Sequence, residues 1–343
     1  AEWLIGKGFH VDILPEITNE ALFEIIDQYE GLVLSTKILV TPKLIDKAVK
    51  LEFIARAGSG MENIDVAYAQ SKNIIVVNSP EGNANAVAEH AVGMLLALMN
   101  NIVRADNQIR NGIWQREENR GEEIEGKTIG IIGYGHTGSR FAAKWKGFGV
   151  NILAHDKYKS GFGDAFVKEA SVQEIQQEAD ILSFHLPLNP ETQHYFNTAF
   201  INGFAKPIWL VNASRGKIVN TTDLILAMDT KKVIGAALDV ASHCSPCISK
   251  IGRKGSIGIA QHQRFDRTGQ GRRRPCVGNR SKHILYYLYR SRGGTLVGGI
   301  GHQQGVGELL AGGGDGLTVV FGHGQVGGGV DHVGVRVCIV VGV

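Results

Sequence analysis

The sequence predicts an α/β fold built on a doubly wound parallel sheet, and three observations lead to this prediction. Short apolar runs alternate with amphipathic stretches from Phe53 to Val240. A glycine triplet joins one of these runs to the amphipathic stretch that follows it. The composition, with 43% apolar and 20% charged residues among 343, is that of a globular protein long enough for two domains. Short, nearly continuous apolar strands between helices are typical of a parallel sheet covered on both faces.

Six apolar runs predict strands, at 74–78, 128–133, 150–156, 179–186, 207–212 and 233–240. Amphipathic stretches predict helices at 136–148, 171–178 and 221–231. A longer helix is predicted over 85–111, before a polar loop at 116–127. Weaker strand signals at 31–35 and 53–60 predict a smaller α/β unit in residues 1–80. This unit begins without a first strand, so some N-terminal sequence is expected to be missing.

The glycine triplet Gly133-x-Gly135-x-x-Gly138 lies between a predicted strand and a predicted helix. Such a loop allows a pyrophosphate to approach the backbone, and the free N–H groups of the helix then stabilise it. The next strand ends at Asp156, where a carboxylate can accept hydrogen bonds from a ribose diol and repel a 2′-phosphate. The spacing therefore predicts a Rossmann-type dinucleotide site that favours NAD over NADP.

Several motifs resemble the D-isomer-specific 2-hydroxyacid dehydrogenase family, most closely its phosphoglycerate dehydrogenase-like members. They occur in family order, at 53–69, 76–98, 126–138, 185–197, 210–220 and 235–240. The resemblance implies a substrate domain at 1–80, flavodoxin-like and N-terminally incomplete, and an NAD-binding domain at 81–240, C-terminally incomplete. It also implies hydride transfer between a nicotinamide and a 2-hydroxy or 2-oxo acid.

The resemblance assigns roles to individual residues. Arg215 matches the arginine that binds the substrate carboxylate, for which a planar, permanently charged guanidinium is suited. Ser59 and Gly60 match the loop whose N–H groups face that carboxylate, and Asp239 matches the residue that holds the nicotinamide amide. The remaining cofactor-binding matches, beyond the three loop glycines and Asp156, are Ser79, His136, Thr137, Leu186, Ala213, Ser214 and Arg215 itself. Lys37 and Arg56 are candidate contacts for an additional substrate phosphate.

Two catalytic residues of the family are not found at their expected places. The family has a glutamate five residues after the aspartate matched by Asp239, and a histidine in a Pro-His-x-Gly context beyond it. Here Cys244 stands at the glutamate position, and no Pro-His-x-Gly occurs in the tail. His262 lies at a tolerable distance in the chain but in another context, which makes it a weak candidate for the general acid.

Residues 241–343 differ from the rest of the chain in composition. Residues 1–240 carry 23 Lys and Arg against 29 Asp and Glu, whereas 241–343 carry 13 against 4. The tail also contains 24 of the 45 glycines and all four cysteines. Glycine-rich chain loses much entropy on ordering, so disorder or a non-native segment is expected, with little packed core beyond about Cys247. The abrupt change at Val240 suggests a truncated family sequence joined by a frameshift or chimera, although a genuine extension is the alternative.

The predicted function is that of an NAD-dependent D-3-phosphoglycerate dehydrogenase of serine biosynthesis, impaired as written. A glyoxylate or hydroxypyruvate reductase is the alternative within the family. A catalytically inactive NAD(H)-binding protein with an interaction tail is the alternative of another class. A nucleic-acid partner through Arg272–Pro275 is not expected, and neither is a zinc site at Cys244 and Cys247, because such motifs without context are weak. A cytoplasmic protein is expected, because the cysteine-free body and the absence of a signal-peptide core argue against secretion. The resemblance implies a homodimer, and neither a metal nor a membrane partner is expected.

Overall fold

The computed structural model describes residues 2–35, 37–241, 257–259, 296–297, 317–318 and 335–340. Within them, two parallel sheets are flanked by helices, and a separate two-stranded pair is formed by β12 (Leu296–Val297) and β13 (Leu317–Thr318). The prediction of an α/β fold with a doubly wound parallel sheet is confirmed.

The first sheet contains five strands in the order β1-β14-β2-β3-β4. These strands are β1 (His10–Ile13), β2 (Gly31–Leu34), β3 (Phe53–Arg56), β4 (Ile75–Asn78) and β14 (Arg336–Val340). The helices of this part are α1 (Glu2–Gly6), α2 (Asn19–Ile25), α3 (Pro42–Lys47) and α4 (Val66–Ser71). α2, α3 and α4 begin after Thr18, Thr41 and Asp65, whose side chains accept a hydrogen bond from a backbone N–H of the first turn.

The second sheet contains seven strands in the order β11-β10-β9-β8-β5-β6-β7. They are β5 (Thr128–Ile132), β6 (Asn151–His155), β7 (Val167–Glu169), β8 (Ile181–Phe184), β9 (Ile208–Asn212), β10 (Val233–Leu238) and β11 (Ile257–Ile259). The helices are α5 (Glu81–Met99), α6 (Ile102–Arg110), α7 (His136–Lys144), α8 (Val172–Glu178), α9 (Thr198–Asn202) and α10 (Thr221–Asp229). The order reverses at β5, so the carboxyl ends of β5 and β8 border a crevice, the usual ligand position in such sheets.

All six predicted strands are present, each shortened at one or both ends. The predicted single helix over 85–111 is wrong, because α5 and α6 meet at an angle of 62°. The break lies at Asn101, which has a left-handed backbone with φ of 53°, and asparagine tolerates that conformation better than most residues.

In the part of the chain that the structure describes, no single helix is long and apolar enough to cross a membrane. The bent pair of α5 and α6 passes that test by length and composition.

The expectation of little packed core beyond Cys247 is wrong for the last strand. β14 lies inside the first sheet, between β1 and β2, and pairs with both in parallel. Its residues Val337 to Val340 are buried. Most of residues 241–343, and with them the predicted disorder, lie outside the described residues.

Candidate functional site

The loop after β5 has the geometry of a phosphate-binding turn. Gly133 has φ of 96°, a conformation that side chains rarely adopt, and its N–H donates to the His155 carbonyl at 2.8 Å. A Cβ at Gly133 would lie 2.5 Å from the His185 carbonyl oxygen, and one at Gly138 would overlap the Gly133 carbonyl. Gly135 has open space around it. The first and third glycines are therefore required by packing, while the second leaves the backbone accessible.

Helix α7 begins directly after Gly135, and no side chain caps its first turn. Its free N–H groups and its positive dipole end face the turn, as expected of a site for an anion. His136 and Thr137 are the first two helical residues, so their backbone positions agree with the predicted pyrophosphate contacts. The exposed His136 ring lies 3.1 Å from the Glu81 carboxylate at the start of α5.

Asp156 follows β6 at the same edge of the sheet. Its carboxylate accepts hydrogen bonds from the N–H groups of Tyr134 and Tyr158, each at 2.9 Å. The first of these bonds ties the carboxylate to the glycine loop itself. Asp156 also lines a cavity of about 310 Å³ together with Glu169 and Glu174. The structure thus places a carboxylate beside the loop, as the spacing predicts.

Leu186, one of the matched cofactor-binding residues, borders the same loop. The Leu186 side chain would be in close contact with a Cβ at Gly133, at 3.1 Å. Ser79, at the end of β4, has a buried hydroxyl with no hydrogen-bond partner in the described part of the chain. A buried polar atom without a partner is costly, and a ligand can supply one. The residues present therefore fit a dinucleotide.

The turn after β9 is held by a residue that the sequence reasoning missed. The Asn212 side chain is fully buried, accepts hydrogen bonds from the Ser214 N–H (3.1 Å) and hydroxyl (2.7 Å), and donates to the Arg215 carbonyl at 3.0 Å. Ala213 is buried beside it. An asparagine that ends a wholly apolar strand was a signal for such a role, because a buried polar side chain needs partners.

Arg215 leaves this turn toward the first sheet. Its Nη1 donates to the Ser214 carbonyl at 2.8 Å, and its Nε donates to the Glu62 carboxylate. A Cβ on Gly60 would overlap both Arg215 and Glu62. Burial raises the pKa of Glu62, but the hydrogen bond and the charge of Arg215 outweigh burial, and the pKa is lowered. The structure therefore brings Arg215 and Gly60 together, and Glu62 is a third member that the sequence did not indicate.

The loop around Gly60 is held by two further side chains. Asn78 Nδ2 donates to the Ser59 carbonyl at 2.7 Å. Arg56 is 3% exposed, donates to the Ala57 carbonyl at 2.7 Å, and contributes to lowering the pKa of Glu62. By contrast, Lys37 is partly exposed and pairs with Glu16 at 3.1 Å.

Asp239 lies directly beside the arginine turn, because its N–H donates to the Asn212 carbonyl at 3.0 Å. Its carboxylate lies 3.3 Å from the His90 Nε2 on α5. Asp239 and Arg215 thus follow neighbouring strands, β10 and β9, at one edge.

Two histidines of the body, His185 and His155, have side chains with identified hydrogen-bond contacts. Burial lowers the pKa of His185 to about 3, and its Nε2 lies 2.9 Å from the Ser183 hydroxyl, so this ring is neutral and structural. The His155 Nδ1 contacts the Ala170 carbonyl at 3.1 Å.

Cys244 and the weak candidate His262 lie outside the described residues, as do Cys247 and Arg272–Pro275. Among the described residues, no group of three or more potential metal ligands occurs.

Comparison with known proteins agrees with this geometry. A hydroxypyruvate reductase from Thermotoga maritima is 35% identical over 230 residues, which are 66% of this chain and 75% of that protein. The chain belongs to the D-isomer-specific 2-hydroxyacid dehydrogenase family. Residues 92–250 match the family model described as "D-isomer specific 2-hydroxyacid dehydrogenase, NAD binding domain", so the second sheet of this dehydrogenase-family chain is its NAD-binding part.

Other relatives of this dehydrogenase-family chain are longer. A D-3-phosphoglycerate dehydrogenase from Synechocystis is 35% identical over 242 residues, covering 69% of this chain and 43% of that protein. The enzyme of that name from Methanocaldococcus jannaschii is 37% identical over 235 residues, covering 67% and 44%. The chain therefore spans less than half the length of these curated relatives.

Solved structures show the same architecture. The D-lactate dehydrogenase from Aquifex aeolicus, in complex with NAD and lactic acid, superposes with a TM-score of 0.63 at 26% identity, covering 72% of this chain and 78% of that one. The TT0316 protein from Thermus thermophilus gives a TM-score of 0.67 at 25% identity, covering 76% and 85%.

Proposed function

We propose that this chain is an NAD-dependent oxidoreductase of 2-hydroxy acids, of the D-3-phosphoglycerate dehydrogenase type. The observation that supports this most directly is the meeting of Arg215, Gly60 and Glu62 between the two sheets. The guanidinium already binds a carboxylate there, and it lies beside Asp239 on the neighbouring strand. A cation that binds a carboxylate next to a dinucleotide loop is what a 2-hydroxy acid dehydrogenase requires.

We assign the cofactor contacts to the residues around the glycine loop. The N–H groups of His136 and Thr137 bind the pyrophosphate, Asp156 binds the ribose diol, and Asp239 holds the nicotinamide amide. The remaining contacts come from Ser79, Leu186, Ala213, Ser214, Arg215 and the three loop glycines. When bound, NAD accepts or donates the hydride, while the chain's own residues orient the two reactants.

The substrate is held from the side of the first sheet, which we propose to be the substrate domain of residues 1–80. Arg215 binds the carboxylate, and the N–H groups of Ser59 and Gly60 face it. The buried Arg56 lies in the same cleft, where its charge acts on Glu62, and it is suited to a second anionic group such as a phosphate. The pairing of Lys37 with Glu16 makes Lys37 the weaker of the two phosphate candidates.

Proton transfer is the incomplete part of this site. The family's glutamate is replaced by Cys244, and a histidine in the family context does not occur in the sequence. Loss of a positioned general acid typically lowers the rate about 10²–10⁴-fold. We therefore propose that turnover is slow while cofactor and substrate binding persist.

The test is turnover of 3-phosphoglycerate, glycerate and lactate with NAD, together with NADH binding followed by fluorescence. We expect the best turnover on 3-phosphoglycerate, and Arg215→Lys should raise its KM far more than it weakens NADH binding, because the guanidinium binds the substrate carboxylate directly. Replacing His262 by Ala should change little. NADH binding without turnover of any of the three acids would instead favour a catalytically inactive NAD(H)-binding protein.

A hydroxypyruvate or glyoxylate reductase is the second candidate. It is favoured by the Thermotoga maritima relative, of which this chain covers 75%, whereas it covers less than half of the phosphoglycerate dehydrogenases. Reduction of hydroxypyruvate and glyoxylate by NADH, compared with oxidation of 3-phosphoglycerate, separates the two.

We also propose a cytoplasmic homodimer that acts in serine biosynthesis. The support for the dimer is an apolar surface on α6 and the loop after it, which we call the α6 surface. It consists of Ile102, Val103, Ile109, Ile113 and Trp114, each at least 46% exposed. Exposed apolar side chains concentrated on one segment often mark protein–protein contacts, and a second copy of the chain would cover these.

A further inference from the structure

The Arg215 guanidinium is held by two acceptors from different parts of the fold. Its Nε donates to Glu62 Oε1 in the loop after β3, and its Nη1 donates to the Ser214 carbonyl at 2.8 Å. A guanidinium carries five N–H groups in a fixed planar fork, and a carboxylate binds along one edge of that fork. Glu62 lies at the edge that contains Nε, and Ser214 takes one of the two Nη1 hydrogens. In the described part of the chain, the edge formed by Nη1 and Nη2 is therefore left for a second carboxylate.

Gly60 makes room for this ion pair. A Cβ at this buried position would overlap both Arg215 Nη2 and Glu62 Oε2. Gly60 is not one of the glycines with positive φ, so the glycine is needed for close approach and not for its backbone conformation. The neighbouring Ser59 is fixed through its carbonyl, which accepts from Asn78 Nδ2 at 2.7 Å. The loop is therefore shaped around the contact between Glu62 and Arg215.

A second arginine acts on Glu62 from the side of the first sheet. Arg56 is 3% exposed, and it donates to the Ala57 carbonyl at 2.7 Å and to Asn63 Oδ1 at 3.4 Å. Burial raises the pKa of Glu62, but the hydrogen bond and charge of Arg215, together with the charge of Arg56, lower it overall. Glu62 is therefore ionised at neutral pH. The positive charge of Arg56 offsets part of the negative charge that a second carboxylate would bring to Arg215.

The ion pair is placed to affect anion binding more than folding. The Glu62 side chain is 47% exposed and that of Arg215 is 32% exposed, and ion pairs this exposed contribute little to stability. A free arginine side chain, however, has many rotamers, and ordering it when an anion binds has a cost that weakens binding. A contact that fixes the side chain beforehand removes that cost.

We propose that Glu62 is a positioning residue of the substrate site. It holds Arg215 across the cleft, and it stays bound at the Nε edge while the substrate carboxylate binds the Nη1–Nη2 edge. One guanidinium from the second sheet is thus shared by two carboxylates, one of them supplied by the first sheet. This proposal rests on the proposed function, in which Arg215 binds the substrate carboxylate.

The test measures binding of oxamate to the complex of the full chain with NADH. Oxamate carries a carboxylate next to an amide carbonyl, so it resembles a 2-oxo acid and needs no proton donor to bind. The fluorescence of bound NADH follows the titration. We expect Glu62→Ala to weaken oxamate binding about 3–10-fold, the usual cost of ordering one side chain with many rotamers. Glu62→Gln should recover most of this loss, because its amide oxygen still accepts a hydrogen bond from Nε.

Two controls separate positioning from a general defect. The dissociation constant of NADH should be the same in the unmodified chain and in both Glu62 variants, because Glu62 lies outside the residues assigned to the dinucleotide. Glu117→Ala removes the carboxylate of the exposed pair with Arg120 and should leave oxamate binding unchanged. Equal oxamate affinity in Glu62→Ala and the unmodified chain would overturn the proposal. Tighter binding in Glu62→Ala would also overturn it, because Glu62 would then compete with the substrate for Arg215.

A second measurement does not depend on the dehydrogenase function. Phenylglyoxal modifies arginine side chains, and mass spectrometry of the digested chain gives the rate at each one. We expect Arg215 to react several-fold faster in Glu62→Ala, because the guanidinium then loses the carboxylate that holds and covers it. In Glu117→Ala, the faster reaction should be confined to Arg120.

The two measurements distinguish failure of this proposal from failure of the proposed function. If the unmodified chain binds NADH but not oxamate, the assignment of a 2-hydroxy acid substrate fails, and the role of Glu62 at that substrate fails with it. If oxamate binds but the reaction rate of Arg215 is the same with and without the Glu62 carboxylate, the proposed function stands and the positioning role of Glu62 is refuted.

Discussion

The Arg215 guanidinium donates through Nε to the Glu62 carboxylate, 153 residues away in the sequence. This ion pair joins the turn after β9 to the loop after β3, so it connects the two sheets at the cleft. Glu62 therefore binds the same guanidinium that we assign to the substrate carboxylate.

Changing Glu62 to Gln should make the stability of the chain less dependent on acid pH. The pKa of Glu62 is lowered in the fold, so its stabilisation is full above the ordinary glutamate pKa and is lost as the pH falls through the lowered value. Both partners are partly exposed, so the expected loss at pH 7 is about 0.5–1 kcal/mol. Urea unfolding at pH 7, and again at a pH below the pKa of Glu62 in the folded chain, measures this loss of unfolding free energy. Glu117→Gln, in the exposed pair with Arg120, is the control; an equal loss at both pH values for Glu62→Gln would contradict the prediction.

Changing Asp156 to Asn should narrow the preference for NAD over NADP. The variant keeps one acceptor oxygen, enough for one of the bonds from the Tyr134 and Tyr158 N–H groups, and removes the charge that opposes a 2′-phosphate. We expect the ratio of dissociation constants to change about tenfold, because hydrogen bonds to charged groups contribute about 1.5–3 kcal/mol. Asp164→Asn is the matched control, since Asp164 also accepts two backbone N–H groups. An unchanged ratio in Asp156→Asn would remove Asp156 from the ribose site.

The glycines of the loop should respond differently to alanine. Gly138→Ala overlaps the Gly133 carbonyl and should destabilise the second sheet by about 1–3 kcal/mol, the usual cost of overpacking. Gly135→Ala meets open space at φ of −84° and should leave stability within about 0.5 kcal/mol. It should nevertheless weaken NADH binding, because its methyl group would stand where the pyrophosphate approaches. Thermal unfolding and NADH titration of both variants distinguish packing from binding, and equal NADH affinity in Gly135→Ala would place the pyrophosphate elsewhere.

Replacing Ile113 and Trp114 of the α6 surface by Ser should shift the chain from dimer to monomer. Trp114 is 79% exposed and Ile113 is 46% exposed, so the substitutions remove little intramolecular packing. Light scattering after size exclusion measures the mass. Tyr158→Ser, at a residue 78% exposed elsewhere on the chain, should not change it. A monomeric unmodified chain would refute the dimer directly.

The sequence predicted the second sheet well because its strands are buried on both faces. β8 and β9 are apolar throughout or nearly so, and such runs are visible without knowledge of any partner. β7 was missed because it is a three-residue edge strand with two exposed charged residues. The helix break at Asn101 was missed because it depends on one backbone conformation, which the sequence around it does not require.

The site was predictable where a motif is local and was not where it depends on distant contacts. Gly133, Gly135 and Gly138 carry their spacing within one loop, whereas the pairing of Arg215 with Glu62 requires two sheets to meet. β14 is the extreme case, since Val337 pairs with Gly31, which lies near the other end of the sequence. Its glycine- and valine-rich surroundings suggested disorder, because composition does not reveal a vacant position in a sheet.

The central place of β14 has a consequence for the order of events during synthesis. Domains generally fold from the N-terminus as the chain leaves the ribosome. Here β14, which lies between β1 and β2, follows the core strands β5 to β10 of the second sheet in the sequence. The core strands of the second sheet therefore emerge first, and the pairing of β1 and β2 with β14 has to wait until Val340 has been translated.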